Sequence, residues 1–440
     1  MTIKRNTFII LLFLFALPFL VELSSKLVIT IYNFYFLPNK INNLESNFTK
    51  NDNKSFVRYS EDVVNDVDKA ISESYYYESY VVWKYKAYTS KHANLDNQGY
   101  RLNNKDQKKV NKSTDKKNIW FVGGTEVFGY RNSDENTLPS NLERALNVSN
   151  NKNYFSVKNM GQLSYVSMQT FLSLRFELMN NFMEKPDLII LLNGFDDYKN
   201  YWKVGHLYST DFYTHDFLSK YWKMHNEQSL IDKEKLKSLI ITKYFYNTNL
   251  LLDKIDKYFK IKKYNKDIDS WKKNYIKFKE NKTKSIEKNL ESYYSFYLSN
   301  IKDIAILCNE NNIELLLLHT PTLFTTDKKL VGHEIDDYNH VGNYFFSMKS
   351  EDIKDINEVP SYQVNRKWYW DKKIFKKGYY NQKNLLINLA KEMKVNFLDL
   401  DKVVSRNNLA PIFENFANPT DYGNKIYAEA IQFEVLKILD

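Results

Sequence analysis

Cysteine is almost absent from this chain. The single cysteine among 440 residues, Cys308, excludes an intramolecular disulfide bond and any cysteine-based metal cluster. Cys308 follows the apolar run 304–307, which favours a small buried side chain on a helix over a catalytic thiol. Only 11 glycines and 8 prolines occur, so a long low-complexity region is excluded. Histidine is also scarce, and none follows His340, so the C-terminal part of the chain offers no imidazole base.

Aromatic and basic residues are abundant by contrast. The 34 tyrosines and 29 phenylalanines supply much of the apolar surface for a core. The formal net charge of +10 is a mild bias, because 53 acidic residues offset 63 basic ones. Such a surface can attract nucleic acid, anionic lipid or acidic polysaccharide, and the charge alone does not choose among them.

The N-terminal residues predict a membrane anchor. Lys4 and Arg5 precede the apolar run 8–21, which is shorter than the roughly 20 residues that a membrane-spanning helix needs. A helix that continues to about residue 31 would span the bilayer if its few charged side chains reach the lipid–water boundary. A cleaved signal peptide is the alternative, but no typical cleavage site follows. The positive charges before the run predict that the remaining chain lies outside the cytoplasm.

The rest of the chain divides into a polar N-terminal part and a region of alternating strands and helices. Residues 1–31 are expected to form the anchor, 32–117 a stalk and cap, and 118–440 the main domain. Short apolar runs predict five strands, at 119–122, 154–157, 188–192, 315–318 and 395–398. Helical periodicity predicts helices at 138–147, 166–182, 285–311, 377–393 and 422–438. This alternation indicates an α/β fold, a three-layer α/β/α sandwich with a parallel sheet of about five strands.

An insertion, predicted to be helical, separates the third and fourth strands at 198–300. Its middle is rich in lysine, with aromatic residues interleaved, a composition that can bind single-stranded nucleic acid or anionic lipid. Acidic residues interrupt the basic stripe, which favours a solvated helical surface instead. No nucleic-acid partner is expected for a domain outside the cytoplasm.

Candidate functional residues follow the strands, because the crevice of such a sheet lies beyond the C-terminal strand ends. The segments at these positions are Gly123-Gly124-Thr125, Asn159-Met160-Gly161, Asn193-Gly194-Phe195-Asp196-Asp197, His319-Thr320-Pro321 and, before the last predicted helix, Asn415-Phe416-Ala417-Asn418.

Taken together, these segments resemble the conserved blocks of the SGNH (GDSL-type) hydrolases, in chain order and on the expected elements. The resemblance implies a flavodoxin-like sheet and ester hydrolysis or acyl transfer. It places the nucleophile at Thr125 and the two oxyanion-binding groups at Gly161 and Asp196. The aspartate and histidine of the family's triad fall at Asn415 and Asn418.

Most of these positions depart from the family's residue types. Thr125 keeps a hydroxyl group, but Asp196 in its ionised form can only accept hydrogen bonds and would repel an oxyanion. Asn415 and Asn418 cannot accept a proton near neutral pH. His319 could substitute in a Thr125–His319–Asp196 arrangement, although a strand-end histidine satisfied by the backbone is the simpler expectation.

Two function classes therefore remain open. The first is a domain that has lost catalysis and binds an envelope glycan, an acylated molecule or a partner protein. The second is an active hydrolase or acyltransferase that uses Thr125 with a non-standard base. The replaced residues favour the first. No cofactor is expected, and the consecutive carboxylates of Asp196 and Asp197 are a weak indication of a metal because their side chains diverge.

Overall fold

The computed structural model describes a little over half of the chain. The described residues are 60–103, 115–149, 153–180, 183–204, 289–345, 371–406 and 410–439. The predicted anchor at 1–31 lies outside them, as do the stalk up to residue 59 and the part of the insertion at 205–288. Within the described ranges, no helix has the length and the apolar character needed to cross a membrane.

Seven strands and ten α-helices organise the described residues. The strands are β1 (Tyr75–Glu78), β2 (Val82–Tyr85), β3 (Asp115–Gly123), β4 (Asn153–Gly161), β5 (Leu188–Leu192), β6 (Glu314–His319) and β7 (Asn396–Asp399). The helices are α1 (Glu61–Ser74), α2 (Thr125–Phe128), α3 (Leu138–Ser149), α4 (Ser167–Asn180), α5 (Phe195–Val204), α6 (described over 289–310), α7 (His333–Phe345), α8 (Lys372–Met393), α9 (Leu400–Val404) and α10 (Asp421–Leu439).

A five-stranded parallel sheet forms the centre of the domain, as predicted. The strand order is β4-β3-β5-β6-β7, and every pairing is parallel. All five residues of β5 are buried, as a continuous apolar run in a doubly covered sheet requires. The chain therefore first steps to one side of β3 and then crosses back over it to β5, which is the flavodoxin-like order of strands.

Helices flank the sheet in two groups. In one group α10 packs on α3, where the Gln432 side chain donates a hydrogen bond to the Ala145 carbonyl (3.0 Å). In the other, hydroxyl groups of α5 and α6 bond to the backbone of α8: Tyr198 to Phe375 (2.9 Å) and Tyr294 to Gly378 (2.8 Å). Because parallel crossovers are right-handed, the reversal of direction after β4 puts these groups on opposite faces. Cys308 is buried on α6, as its apolar neighbours predicted.

The segment 60–103 is fastened to the main domain rather than separated from it. Trp83 of β2 donates its indole N–H to the Leu163 carbonyl (3.2 Å), and the Tyr100 hydroxyl donates to the Glu177 carboxylate of α4 (2.7 Å). Arg101, which follows Tyr100, is 2% exposed and reaches into the loop after α2. The described part of the predicted cap therefore supports the strand-end loops from outside the sheet.

Candidate functional site

The end of β3 comes unusually close to its neighbour β5. Gly123 has a φ of +155°, and a Cβ atom there would lie 2.0 Å from the Leu192 carbonyl oxygen. Only glycine allows this approach, which brings the loops after β3 and β5 together. As a result, Thr125 at the start of α2 faces Asp196 in the first turn of α5.

The Thr125 hydroxyl is held between two polar partners. It donates a hydrogen bond to Oδ2 of Asp196 (3.1 Å) and accepts one from the Ser164 backbone N–H (2.9 Å). The Thr125 backbone N–H also points at Oδ2 of Asp196 (3.4 Å). The hydroxyl proton is therefore directed at a carboxylate, and its oxygen is directed at a backbone amide.

Asp196 is buried yet well supplied with hydrogen-bond donors. Its side chain is 2% exposed, and its second oxygen, Oδ1, pairs with the Lys199 ammonium one turn along α5. The helix N-terminus adds a favourable field for the negative charge. Asp196 thus serves as an acceptor for both Thr125 and Lys199, and it has no proton to donate to a developing oxyanion.

Glu126 places a second carboxyl group beside Asp196. The side chain is 5% exposed, and its Oε1 has no hydrogen-bond partner among the described residues. Burial, together with repulsion from Asp196, raises the pKa of Glu126 to about 8. At neutral pH Glu126 therefore keeps its proton, while Thr125 and Lys199 donate to the Asp196 carboxyl group.

The amide that faces the Thr125 hydroxyl belongs to Ser164 and not to Gly161. Gly161 donates its own N–H to Oδ1 of Asn159 (3.0 Å), so this amide is already engaged. Ser164 lies three residues further along and adopts the left-handed conformation (φ +60°), which turns its N–H toward Thr125. The resemblance placed an oxyanion-binding amide at Gly161 of this loop, and the amide that contacts Thr125 in the structure is that of Ser164. A backbone N–H has no residue-type signature, and serine at positive φ gives little hint of the turn.

Gly161 has a packing role instead. A Cβ atom there would lie 2.2 Å from the Phe128 nitrogen and 2.6 Å from the Val127 carbonyl carbon, both in α2. We expect Gly161→Ala to push α2 aside and lower the free energy of unfolding by about 1–3 kcal/mol, measured by urea denaturation. The matched control is Ser295→Ala on the exposed face of α6, for which we expect a change within about 0.5 kcal/mol. Equal stability of the two variants would refute the close packing.

His319 does not join Thr125 and Asp196. It ends β6, which is separated from β3 by β5, and its ring packs on Tyr379 with centroids 4.8 Å apart. Nδ1 lies 4.0 Å from Oδ1 of Asp399, and neither ring nitrogen has a hydrogen-bond partner in the described part of the chain. Burial, reinforced by the charge of Lys383, lowers the pKa of His319 to about 3. The side chain is therefore a neutral, enclosed group, and the conceivable Thr125–His319–Asp196 arrangement reduces to a Thr125–Asp196 pair.

Asn415 and Asn418 lie in the loop before α10, as expected, but they bond locally. Oδ1 of Asn415 accepts the backbone N–H groups of Ala417 (3.4 Å) and Asn418 (3.3 Å), which closes a tight turn. Within the described residues, neither side chain bonds to Thr125. The loop reaches the same edge of the sheet through Phe416, whose ring lies 5.1 Å from the Phe195 ring.

The second aspartate of the pair points elsewhere. The Asp197 carboxylate accepts both the N–H (2.9 Å) and the hydroxyl (2.5 Å) of Ser167 at the start of α4. Burial raises the pKa of Asp197 to about 7. In the described ranges no three His, Cys, Asp or Glu side chains are grouped so that they could hold a metal ion.

Comparison with known proteins gives structural similarity alone. No protein-family model and no curated protein sequence matches the chain. Similar solved structures include a lipolytic protein of the G-D-S-L family from Desulfitobacterium hafniense (12% identity, 73% of this chain and 99% of that one, TM-score 0.34). Another is an acetylxylan esterase from Geobacillus stearothermophilus (10% identity, 74% of this chain and 96% of that one, TM-score 0.36). A third is a GDSL-like lipase from Bacteroides thetaiotaomicron (11% identity, 73% of this chain and 89% of that one, TM-score 0.32).

Proposed function

We propose that this domain is a non-catalytic relative of the SGNH-type ester hydrolases, which binds a ligand at the strand-end crevice and does not cleave it. The observation that carries the proposal is the hydrogen bond of the Thr125 hydroxyl to the Asp196 carboxylate, with no histidine of the described ranges bonded to either group. The order of the strands and the position of Thr125 after β3 support the relationship to the family.

The proton balance of the site argues against ester cleavage. A threonine hydroxyl needs a base of near-neutral pKa to become a nucleophile, and a carboxylate is a weaker base than the imidazole that usually fills this role. In addition, the negative charge that forms on the attacked carbonyl would develop beside the charge of Asp196. Such charge is stabilised by donors and destabilised by a neighbouring carboxylate, so both the attack and its intermediate are disfavoured.

An active enzyme is the second candidate, and one contact favours it. The Ser164 N–H lies 2.9 Å from the Thr125 hydroxyl oxygen, so a backbone donor stands next to the candidate nucleophile and could turn to the carbonyl oxygen of a bound ester. In this alternative, Asp196 would act as the base for a slow hydrolase or acyltransferase. The assay below separates the two candidates.

We also propose that residues 1–31 anchor the chain in a membrane, with the main domain outside the cytoplasm, where an envelope glycan or an acylated molecule would be its ligand. The charge pattern of Lys4 and Arg5 before the apolar run supports this orientation. Protease added to intact cells should then degrade the domain, whereas protection of the domain until lysis would contradict the proposed orientation.

Ester hydrolysis tests the loss of catalysis directly. We expect the natural protein to hydrolyse p-nitrophenyl acetate no faster than its Thr125→Ala variant. A fourfold variant restores the family's residue types: Thr125→Ser, Asp196→Asn, Asn415→Asp and Asn418→His. If the crevice retains the family's geometry, this variant should hydrolyse the ester at least tenfold faster than the natural protein, because it regains both a base and an oxyanion donor.

The matched control is the same fourfold variant with Ala in place of Ser at position 125. Loss of its activity would assign the gained hydrolysis to the nucleophile and not to a general effect of the new histidine. Activity of the natural protein that disappears in Thr125→Ala would overturn the non-catalytic proposal and establish the active alternative.

A further inference from the structure

Helix α4 directs polar side chains toward the protein interior and apolar side chains outward. On its inner side, Thr170 accepts a hydrogen bond from the Asn193 side chain (2.8 Å). Also on this side, Glu177 accepts one from the Tyr100 hydroxyl (2.7 Å) and pairs with the Lys84 ammonium (2.9 Å). A surface helix normally shows the reverse arrangement, with its apolar residues inside. The outward side of α4 is therefore a candidate contact surface.

Four apolar side chains form a stripe along this outward side, namely Met168, Leu172, Phe176 and Met179. Their spacing of four, four and three residues keeps them on one side of an α-helix. Met179 is 66% exposed and Met168 is 37% exposed, whereas Leu172 and Phe176 are half-buried. Tyr80, in the turn between β1 and β2, is 75% exposed, and its ring centroid lies 5.8 Å from that of Phe176. These five residues are called the α4 face.

One positive charge projects from the α4 face. Arg175 is exposed, and its place in the helix puts it on the same side as Leu172 and Met179. It forms no ion pair with the other described residues. Its guanidinium group is therefore available for a phosphate group, which arginine binds with two parallel hydrogen bonds. Apolar side chains around a cation, with a tyrosine beside them, match the boundary between the headgroups and the acyl chains of a bilayer.

We infer that the α4 face docks on the lipid bilayer that carries the N-terminal anchor. The inference rests on the proposed membrane anchor at 1–31. Only residues 32–59 separate that anchor from the described domain, and about 28 residues reach at most about 100 Å even when fully extended. The anchor therefore keeps the domain near the bilayer at a high effective concentration. At such a concentration a modest apolar surface with one cation is sufficient for docking.

A second copy of the chain fits the α4 face less well. In a two-fold dimer the same surface of each copy meets its counterpart. Two Arg175 side chains would then be buried in an apolar interface, and the stripe on α4 contains no carboxylate to pair with them. Burying a charge without a counter-charge is unfavourable, whereas a bilayer supplies phosphate groups at its surface.

Quenching by lipid tests the inference on the full-length chain in vesicles of phosphatidylcholine and phosphatidylglycerol that contain brominated lipid. Met179→Cys provides an accessible thiol on the α4 face for a fluorescent label, because the natural Cys308 is buried. The matched control is Val148→Cys, at a residue of α3 that is 79% exposed. Since α3 and α4 cross the sheet in opposite directions, they lie on its opposite faces. We expect the label on α4 to be quenched at least three times as strongly as the label on α3.

Two further substitutions in the labelled Met179→Cys protein make the test specific. Arg175→Glu should reduce the quenching at least twofold, because it places a negative charge against anionic headgroups. Lys425→Glu, on the exposed side of α10, is the charge-matched control and should leave the quenching unchanged. Tyr80→Ser should also reduce the quenching, and the high exposure of Tyr80 makes it compatible with correct folding.

Several results would overturn the inference. They are equal quenching of the labels on α3 and α4, quenching that Arg175→Glu leaves unchanged, and a vesicle-bound chain without quenching on α4. Self-quenching between labelled copies, without quenching by lipid, would assign the α4 face to a second copy instead. A chain that does not sediment with the vesicles would contradict the proposed anchor and the docking together. Ester hydrolysis by the natural protein would refute the non-catalytic proposal alone, because lipid quenching does not depend on the crevice.

Discussion

Replacing Arg101 with alanine is expected to lower the free energy of unfolding by about 3–5 kcal/mol, the range for breaking a buried ion pair from one side. The guanidinium group is 2% exposed and donates to the Asp134 carboxylate (2.9 Å). It also donates to the carbonyl oxygens of His92 (3.3 Å), Phe128 (3.1 Å), Gly129 (2.6 Å) and Asn132 (2.5 Å). Alanine would leave all five acceptors without this donor. Urea denaturation followed by circular dichroism measures the loss.

Lysine should not rescue this position. A single ammonium group cannot reproduce the planar set of donors that Arg101 spreads over five acceptors, so Arg101→Lys should recover less than half of the lost stability. The control is Lys116→Ala, which breaks the exposed pair between Lys116 and Glu184 (2.5 Å) and should change stability by less than about 1 kcal/mol. An Arg101→Ala variant as stable as this control would show that the network contributes little.

The effect of Arg101 should extend to the candidate site. Phe128 ends α2 and Gly129 follows it, so Arg101 ties the segment 60–103 to the short helix that begins with Thr125. None of the strand-end segments that the sequence singled out contains Arg101. Its role depends on a long-range contact that no local pattern encodes.

The fold was largely predictable because its strands are buried on both faces. The continuous apolar run at 188–192 coincides with β5, residue for residue. By contrast, β3 begins at Asp115, four residues before the predicted run. Those first residues are polar and at least partly exposed, and they are strand only because they pair with β4. Tertiary pairing of this kind leaves no trace in hydrophobic periodicity.

The site, too, was predictable from the sequence only in part. The nearness of Thr125 and Asp196 follows from their places at the ends of two adjacent parallel strands, which the order of motifs anticipates. The Ser164 amide and the burial of Glu126 do not follow. The amide depends on one residue at positive φ, and the burial of Glu126 depends on loops that meet only in the folded protein.

Glu126→Gln should stabilise the protein at neutral pH and remove one component of its pH dependence. Because burial and Asp196 raise the pKa of Glu126 to about 8 in the folded state, the folded protein keeps this proton over a range in which the unfolded chain has lost it. The ordinary glutamate pKa is about 4.3. Glu126 therefore costs nothing below about pH 4, and its cost grows between about pH 4 and 8 by up to 1.4 kcal/mol for each pH unit.

As the pH rises, ionisation of Glu126 destabilises the folded protein, whereas ionisation of an ordinary ion-paired carboxylate stabilises it. Above the folded-state pKa both states are ionised and the cost is constant, so the Gln variant should exceed the natural protein by a few kcal/mol from about pH 7 upward. The measurement is the difference between the two unfolding curves at several pH values. Asp197 and His319 titrate in both proteins, so their contributions cancel in this difference.

Exposed Glu184 supplies a control in which the same substitution should change the stability in the opposite direction. Its hydrogen bonds to Lys116 and Asn118 lower the pKa of Glu184, so Glu184→Gln should remove a small stabilisation that is present above the ordinary glutamate pKa. If the curves of the natural protein and Glu126→Gln run parallel between about pH 5 and 8, Glu126 is ionised in the folded state. Two neighbouring carboxylates would then lie beside the single ammonium group of Lys199. A proton on Glu126, in contrast, removes the repulsion between the two carboxyl groups, and with burial this repulsion is the reason that the pKa of Glu126 is raised.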